Sequence, residues 1–240
     1  MMALIFVCCS NPEQCTKSSG ALIIKNFDYL TFDKILVFKG INIVIIEGAT
    51  HKVSVQSGTN LIDDIDVRVV NGQLQLKDNT TCNWVREFTE TIITITTPTL
   101  KEIYSKTEGT ITTVGKLTFP NLKLIALDNF DGLGGAGTGD FTMDLNCENV
   151  EIENNHVANF TLSGHTAKLN ISIYEGNGKI NSENLVAQNV QISHRGSNSV
   201  RVKAIQSLTG NIYNIGHVYC YSQPIDVRIT EHYRGKLIYK

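Results

Sequence analysis

The chain of 240 residues has a formal net charge of −2, with 18% charged and 42% hydrophobic residues. Such a surface has no basic excess for a nucleic-acid backbone, so we expect no nucleic-acid partner. The charged fraction lies below the roughly 25% of an average soluble domain. Apolar residues recur along the whole chain, which argues against disorder and allows one large core.

The first residues form a short apolar segment that ends in two cysteines. Residues 1–7 are apolar and are followed by Cys8 and Cys9, a run too short to span a bilayer. This pattern resembles the end of a bacterial lipoprotein signal, in which a cysteine thiol is acylated, and it favours Cys9 over Cys8. No Lys or Arg precedes the run, so a disordered or cloning-derived tail is the alternative. Residues 1–20 are predicted to be a signal-like segment and tether.

Beyond residue 20, apolar and polar residues alternate with a period of two, as in half-buried β-strands. The clearest runs are Ile41–Ile45, Val53–Val55, Val67–Val69, Leu74–Leu76 and Ile93–Ile95. Asn71-Gly72 lies between two such runs and predicts a hairpin. Only residues 60–66 could form a turn of helix. The sequence therefore predicts an all-β protein.

From about residue 139 the alternation becomes a repeat of about 20 residues. One inward column is predicted to contain Phe141, Phe160, Ile180, Val200, Val218 and Leu237. A second contains Val150/Ile152, Leu169/Ile171, Val190/Ile192 and Val227/Ile229. Short strands at this period, with Gly and Asn at the corners, are typical of a β-solenoid. We predict a right-handed β-helix-like solenoid with a less regular N-terminal half, forming a single domain over residues 21–240.

The N-terminal pattern is similar to the head GIN domain family of auto-transporter adhesins. The similarity rests on Phe32, Ile35, Val37, Gly40, Ile43, Ile45, Gly48, Asn60-Leu61, Ile65, Val67, Gly72, Leu74 and Leu76, and on Ile93, Ile95, Pro98, Leu100 and Ile103. It extends from about residue 25 to the C-terminus. The Gly-Ser-Gly corners frequent in that family are replaced here by Asn154-Asn155-His156, Gly176-Asn177-Gly178 and Gly196-Ser197-Asn198.

The resemblance implies an extracytoplasmic protein of a Gram-negative bacterium, placed as an outer-membrane lipoprotein or at the cell surface. We therefore expect a non-catalytic, adhesin-like binding module for a polysaccharide or protein ligand, with membrane contact only through a lipid anchor. Edge strands at the ends of a solenoid invite pairing, so a homodimer through the C-terminal end is a further expectation. The alternatives are a polysaccharide-active β-helix enzyme and a structural envelope protein.

A glycosidase needs two facing carboxylates, which a solenoid would supply as an acidic column along its rungs. The acidic residues Glu148, Glu151, Glu153 and Glu183 have no such column, because the matching positions in later rungs are Ala167, Asn170, Gln188 and Gln191. Arg195 and Arg201 are isolated basic residues, expected on a solvated face. We predict no catalytic residue.

No metal site or cofactor is predicted. The acidic stretch with Asp128, Asp131, Asp140 and Asp144 lacks a twelve-residue calcium loop, and Ca²⁺ binding there is the alternative. The six histidines show no metal-ligand spacing and are expected at corners or on the surface. The last three cysteines are expected to be small buried hydrophobic residues: Cys82, Cys147 and Cys220.

Aromatic residues gather near the C-terminus, and their role is left open between two functions. The group is Tyr213, Tyr219, Tyr221 and Tyr233, with Trp84 apart from it. Tyrosine rings on a sheet face can stack on sugars, and they can equally close the last rung as a cap. The ligand-binding residues are not fixed by the sequence.

Overall fold

The computed structural model describes residues 18–28, 31–80, 90–128, 133–135 and 137–240. Within these ranges the protein is all-β, as predicted, with one large mixed sheet and a single 3-10 turn at Ile62–Asp64. That turn falls inside the one segment for which a helical turn was predicted. None of the described helices has the length and apolarity to cross a membrane.

The strands are β1 (Leu22–Phe27), β2 (Lys34–Phe38), β3 (Ile41–Glu47), β4 (Lys52–Gly58), β5 (Ile65–Val70), β6 (Gln73–Asp78), β7 (Thr91–Thr97), β8 (Glu102–Lys106), β9 (Ile111–Leu117), β10 (Asn121–Ala126), β11 (Phe141–Asn154), β12 (Phe160–Ile173), β13 (Ile180–His194), β14 (Val200–Ile212), β15 (Val218–Cys220), β16 (Asp226–Glu231) and β17 (Leu237–Tyr239).

The N-terminal half mixes parallel and antiparallel pairs. Strand β2 lies parallel to β6 and β8, and β3 lies parallel to β7 and β9. Strand β4 runs antiparallel to both β1 and β7. Strands β5 and β6 form the predicted hairpin, whose turn residues Asn71 and Gly72 have φ of 51° and 77°. These positive angles explain the Asn-Gly pair.

The C-terminal half is a regular parallel stack. Strands β10 to β14 pair each with the next, and β14 then pairs with β15 and β16, and β15 with β17. Parallel strands in this arrangement place each residue over its counterpart one repeat away. The repeat read from the sequence is therefore a structural register. Its right-handed solenoid winding stays a prediction.

The register aligns both predicted apolar columns, and their members are buried as far as β15; in the last rung Ile229 and Leu237 are partly buried and Val227 is exposed. Phe141 lies over Phe160 with the rings stacked at 4.5 Å between centroids, and Ile180 follows Phe160. The column extends into the N-terminal half, because Ile111 pairs with Phe141 and with Ile43. The second column also contains a pair that the repeat had not supplied, Leu208 and Gly210 on β14.

Asparagine side chains at the corners bond mainly to backbone rather than to one another. Asn198 Nδ2 donates to the Asn177 carbonyl at 2.9 Å, and Asn214 Nδ2 donates to the Arg195 carbonyl at 2.9 Å. At these two corners the side-chain amides therefore link successive rungs through backbone carbonyls. Each asparagine supplies a donor to a carbonyl of the preceding turn, where regular strand pairing has ended.

Candidate functional site

The outer face of the C-terminal stack changes character along its length. One outward column consists, from β11 to β15, of Thr142, Thr161, Asn181, Arg201 and Tyr219. Small hydroxyl and amide groups thus give way to a cation and an aromatic ring as the stack reaches its last rungs. The charged and aromatic side chains of this column therefore lie at its C-terminal end.

A surface cleft of about 460 Å³ lies at that end. We call it the Tyr219 cleft, and its lining residues are Ser197, Asn198, Ser199, Arg201, Ile215, His217, Tyr219, Tyr221 and Lys240. Its volume falls within the range of ligand clefts, roughly 300–1,000 Å³. The lining combines two phenol rings, an imidazole, two cations and several hydroxyl or amide groups.

Tyr219 is the centre of the ring contacts in the cleft. His217 meets the Tyr219 ring edge-on at 6.1 Å, and Lys240 Nζ lies 5.3 Å from its centroid. Arg201 Nη1 is 3.4 Å from Glu183 Oε1 in a half-exposed ion pair. Glu183 does not line the cleft, so the lining itself has cations and no carboxylate side chain. An acidic ligand group would meet the Lys240 ammonium there and would share the Arg201 guanidinium with Glu183.

The C-terminal tyrosines divide into two sets. Tyr219 and Tyr221 line the cleft. Tyr213 instead stacks on His232 at 4.5 Å, with the Arg195 guanidinium 3.9 Å from its ring centroid. Tyr233 is 56% exposed and does not line the cleft. Trp84 lies outside the described residues.

Sequence reasoning missed three of the cleft residues: Arg201, His217 and Lys240. Arg201 was expected to be an isolated cation on a solvated face, but the register puts it between Asn181 and Tyr219 in one outward column. The same repeat that located the inward residues would have located this column, had it been applied to the alternate positions.

The strand register shows which residues lie next to the glutamates that were weighed as a catalytic column. Glu151 pairs with Asn170, and Asn170 with Gln191. Glu151 and Glu153 lie instead against Lys123, whose Nζ is 3.2 Å and 2.8 Å from their carboxylate oxygens. These two carboxylates therefore neutralise a lysine on the adjacent strand.

The acidic residues weighed as calcium ligands face different partners. Asp128 lies 3.8 Å from His156, Asp140 accepts from Asn159 at 2.9 Å, and Asp144 borders a shallow groove with Thr142. No group of three or more metal-ligating side chains occurs among the residues that the structure describes. Asp131 lies outside those residues.

His194 corrects the expectation that the histidines lie at corners or on the surface. It is fully buried, because the register places it between Ile173 and Ile212 in an inward column. Its Nε2 lies 2.9 Å from the Asn198 carbonyl and donates a hydrogen bond to it. Burial lowers the pKa of His194, and the charge of His217 adds to the effect.

The body cysteines behave as predicted where the structure describes them. Cys147 and Cys220 are free and buried. Burial raises the pKa of the Cys147 thiol to about 11, which suppresses the reactive thiolate. Cys82 and the predicted lipidation site Cys9 lie outside the described residues, so the lipidation of Cys9 stays a prediction, as does the boundary at residue 20.

Residues 31–224 match the model of the family described as "Putative auto-transporter adhesin, head GIN domain". The chain belongs to this family, which confirms the similarity read from the sequence. No curated protein matches the sequence.

Several solved structures share the fold. A "putative adhesin" from Bacteroides fragilis superposes with a TM-score of 0.81 at 21% identity, covering 93% of this chain and 100% of that one. A "putative adhesin" from Parabacteroides merdae gives 0.66 at 14% identity, covering 93% and 98%. A "Putative lipid binding protein" from Parabacteroides distasonis gives 0.64 at 15% identity, covering 92% and 99%. At these identities the likeness establishes the fold alone.

Proposed function

We propose that this protein is a non-catalytic, adhesin-like binding module of the cell envelope and that the Tyr219 cleft is its ligand site. The observation that supports the site is its lining, in which two tyrosine rings lie beside Arg201, His217 and Lys240 without an Asp or Glu side chain. The family description and the names of two structural neighbours supply the adhesin class.

The ligand we propose is a saccharide that bears carboxylate or sulfate groups. A phenol ring offers an apolar face for a sugar ring and a hydroxyl group for its polar edge. The cations pair with the acidic substituents, and Ser197 and Ser199 offer hydroxyl groups to the sugar. A rigid parallel stack holds these groups in place before the ligand arrives, which lowers the entropic cost of binding.

One neighbour is described as a lipid binding protein, which raises the question of an enclosed apolar ligand. In this chain the inward positions are filled by stacked side chains such as Phe141 and Phe160, both fully buried. We therefore place the ligand on the surface of the stack rather than inside it.

The proposal also covers the handedness of the solenoid, the location of the protein in the cell and its lipid anchor. Connections between parallel strands are right-handed in about 98% of cases, so a right-handed β-helical solenoid is the proposed winding of β11 to β17. We place the protein outside the cytoplasm of a Gram-negative bacterium, at the outer membrane or cell surface, anchored through Cys9.

The anchor is tested by metabolic labelling of two variants. Cys9→Ser should abolish incorporation of an alkynyl fatty acid, whereas Cys8→Ser should retain it. Equal labelling of both variants would refute the anchor.

The functional proposal is tested with the purified chain on immobilised dextran, dextran sulfate, polygalacturonate, collagen and fibronectin. Retention and release of soluble fragments are recorded in the same wells. Retention on dextran sulfate or polygalacturonate, without fragments and with weak retention on dextran, is the expected result. Dextran and dextran sulfate share a backbone, so they isolate the acidic group.

Three outcomes contradict the proposal in different ways. Release of sugar fragments would establish a polysaccharide-active enzyme. Retention on collagen or fibronectin alone would replace the saccharide by a protein ligand. No retention on any surface would favour a structural envelope protein.

A further inference from the structure

The last rung of the stack leaves a free strand edge. Strand β16 bonds to β14 on one side, and no described strand bonds to its other side. The apolar columns run out to this end, where Ile225 is 80% exposed and Val227 is 38% exposed. Tyr239 on β17 is 48% exposed at the same end. The core of the stack is therefore open to solvent here.

The backbone of β16 offers a regular set of hydrogen-bonding groups at this edge. His232 N–H donates to the Ile212 carbonyl at 2.9 Å, so the even-numbered residues point their backbone groups towards β14. Alternate residues of a strand point these groups to opposite edges. The N–H and C=O groups of Val227 and Ile229 therefore point outward from the stack.

The sequence of β16 is complementary to itself in one antiparallel register. A two-fold axis at Val227 pairs Val227 with its own copy and Ile225 with Ile229. Val227 and Ile229 point their backbone groups outward, and Ile225 would do so if the strand continued by one residue on pairing, so each pair could exchange two hydrogen bonds. The same axis places Asp226 opposite Arg228, which already form an ion pair of 2.9 Å within one chain. This register therefore pairs backbone hydrogen-bonding groups, apolar side chains and opposite charges at the same time.

We propose that the free edge of β16 binds a second copy of this chain, forming a two-fold dimer through antiparallel β16 strands. Such an interface is isologous, as in most homodimers, and it covers the open end of both cores. The proposal goes beyond the ligand site and does not depend on it. A dimer would display two Tyr219 cleft sites on one particle, which strengthens attachment to a repeating polymer.

Strand β1, an edge strand at the N-terminal end, is a less suitable partner for itself than β16. Strand β1 also exposes apolar residues, with Leu22 and Ile24 at 59% and 62%. Its only charged residue is Lys25, so antiparallel self-pairing offers no opposite charge. Strand β1 therefore serves as the internal control.

The first test measures the mass of the full chain in solution by sedimentation equilibrium, over a dilution series up to about 100 µM. We expect a mass of two chains of 26.5 kDa at the upper concentrations. Asp226→Arg places like charges opposite each other and should weaken the dimer about tenfold or more. The double exchange Asp226→Arg/Arg228→Asp should restore the wild-type constant to within about threefold. A monomer at all concentrations would overturn the proposal.

The second test fixes the register by a disulfide. Cα atoms of a hydrogen-bonded antiparallel pair lie about 5.5 Å apart, within disulfide reach. In a chain with Cys8, Cys9, Cys15 and Cys82 changed to serine, Val227→Cys should oxidise to a covalent dimer. Ile24→Cys, on β1, should remain monomeric under the same conditions. Equal cross-linking of both variants, or of Ile24→Cys alone, would contradict the β16 interface.

Discussion

The apolar core of this molecule ends in two different ways. At the N-terminal end, β4 lies antiparallel between β1 and β7, and β5 folds back on β6. At the C-terminal end the strands from β10 to β17 pair in parallel and stop at β16 and β17. Antiparallel strands cover one end of the core, whereas the other end is left open. We infer that the N-terminal end serves to close the fold. The C-terminal end would then bind the ligand and the second copy proposed above.

The direction of strand pairing also determines how clearly a repeat appears in the sequence of each half. In the parallel stack, each rung reproduces the side-chain environment of the rung before it, so Phe141, Phe160 and Ile180 occupy one column. At the antiparallel end, residues meet across hairpins and long connections, and no fixed spacing relates them. Cooperative stacking should therefore make the regular half more sensitive to core truncation.

The largest expected effect comes from truncating one phenylalanine in each region. Phe160→Ala removes a fully buried ring that stacks on Phe141, and should lower the free energy of unfolding by about 3–5 kcal/mol. Phe27→Ala removes a partly buried ring on the outer strand β1, and should lower it by about 1–2 kcal/mol. Urea denaturation measures both. A larger loss for Phe27→Ala would reverse the comparison.

A second effect concerns the pH dependence of the regular stack. The folded state keeps His194 neutral by burial, with its pKa below the ordinary value of 6.5. As pH falls through 6.5, the unfolded chain binds a proton that the folded chain does not bind, so stability is lost on acidification. His194→Ile continues the column of Ile173 and Ile212 and should remove this contribution.

Urea denaturation of both proteins between pH 8 and pH 5 measures the effect. At pH 8 the variant should lie within about 1 kcal/mol of the wild type, because it loses one hydrogen bond, from His194 to the Asn198 carbonyl, and gains apolar burial. Below pH 6.5 its stability should fall less steeply than that of the wild type. Identical slopes would show that His194 does not set the acid dependence.

The smallest effect compares two surface lysines, one in each half. Lys123 on β10 contacts Glu151 and Glu153, while Lys101 contacts Asp33 at 2.6 Å with 67% of its side chain exposed. Burial would lower the pKa of Lys123, but the hydrogen bonds and charges of the two glutamates outweigh it and the pKa is raised.

Lys123→Met should therefore destabilise the protein by at most about 1 kcal/mol, and Lys101→Met by less than about 0.5 kcal/mol. Both losses should shrink in high salt, because the pairs are partly exposed. Urea denaturation at low and high salt measures the two variants. A larger loss for Lys101→Met would show that the isolated pair matters more than the three-residue cluster.

The sequence predicted the elements that depend on local or periodic patterns. The Asn71-Gly72 hairpin follows from its turn residues, and the Phe141 column follows from the repeat. The antiparallel position of β4 did not follow, because strand direction depends on long-range pairing that alternation does not encode. His194 was expected at a corner or on the surface because its residue type was weighed rather than its position in the column.

The candidate site was predictable only in part. Tyr219 and Tyr221 were singled out as ring residues, but their neighbours come from three other places in the chain. Ser197 lies at a corner, Arg201 lies on β14, and Lys240 follows β17. The cleft forms because consecutive rungs place these residues side by side, and this requires the exact register, including the bulges between β13 and β14.

The most direct test of the account compares two tyrosines near the same end of the stack. Tyr219→Ala removes the central ring of the Tyr219 cleft and leaves Arg201 and Lys240, whereas Tyr213→Ala removes a ring outside it. The dissociation constant for dextran sulfate, measured by isothermal titration, should rise about tenfold or more for Tyr219→Ala. It should stay within about twofold for Tyr213→Ala. Equal affinities for wild type and Tyr219→Ala would contradict the cleft as the ligand site.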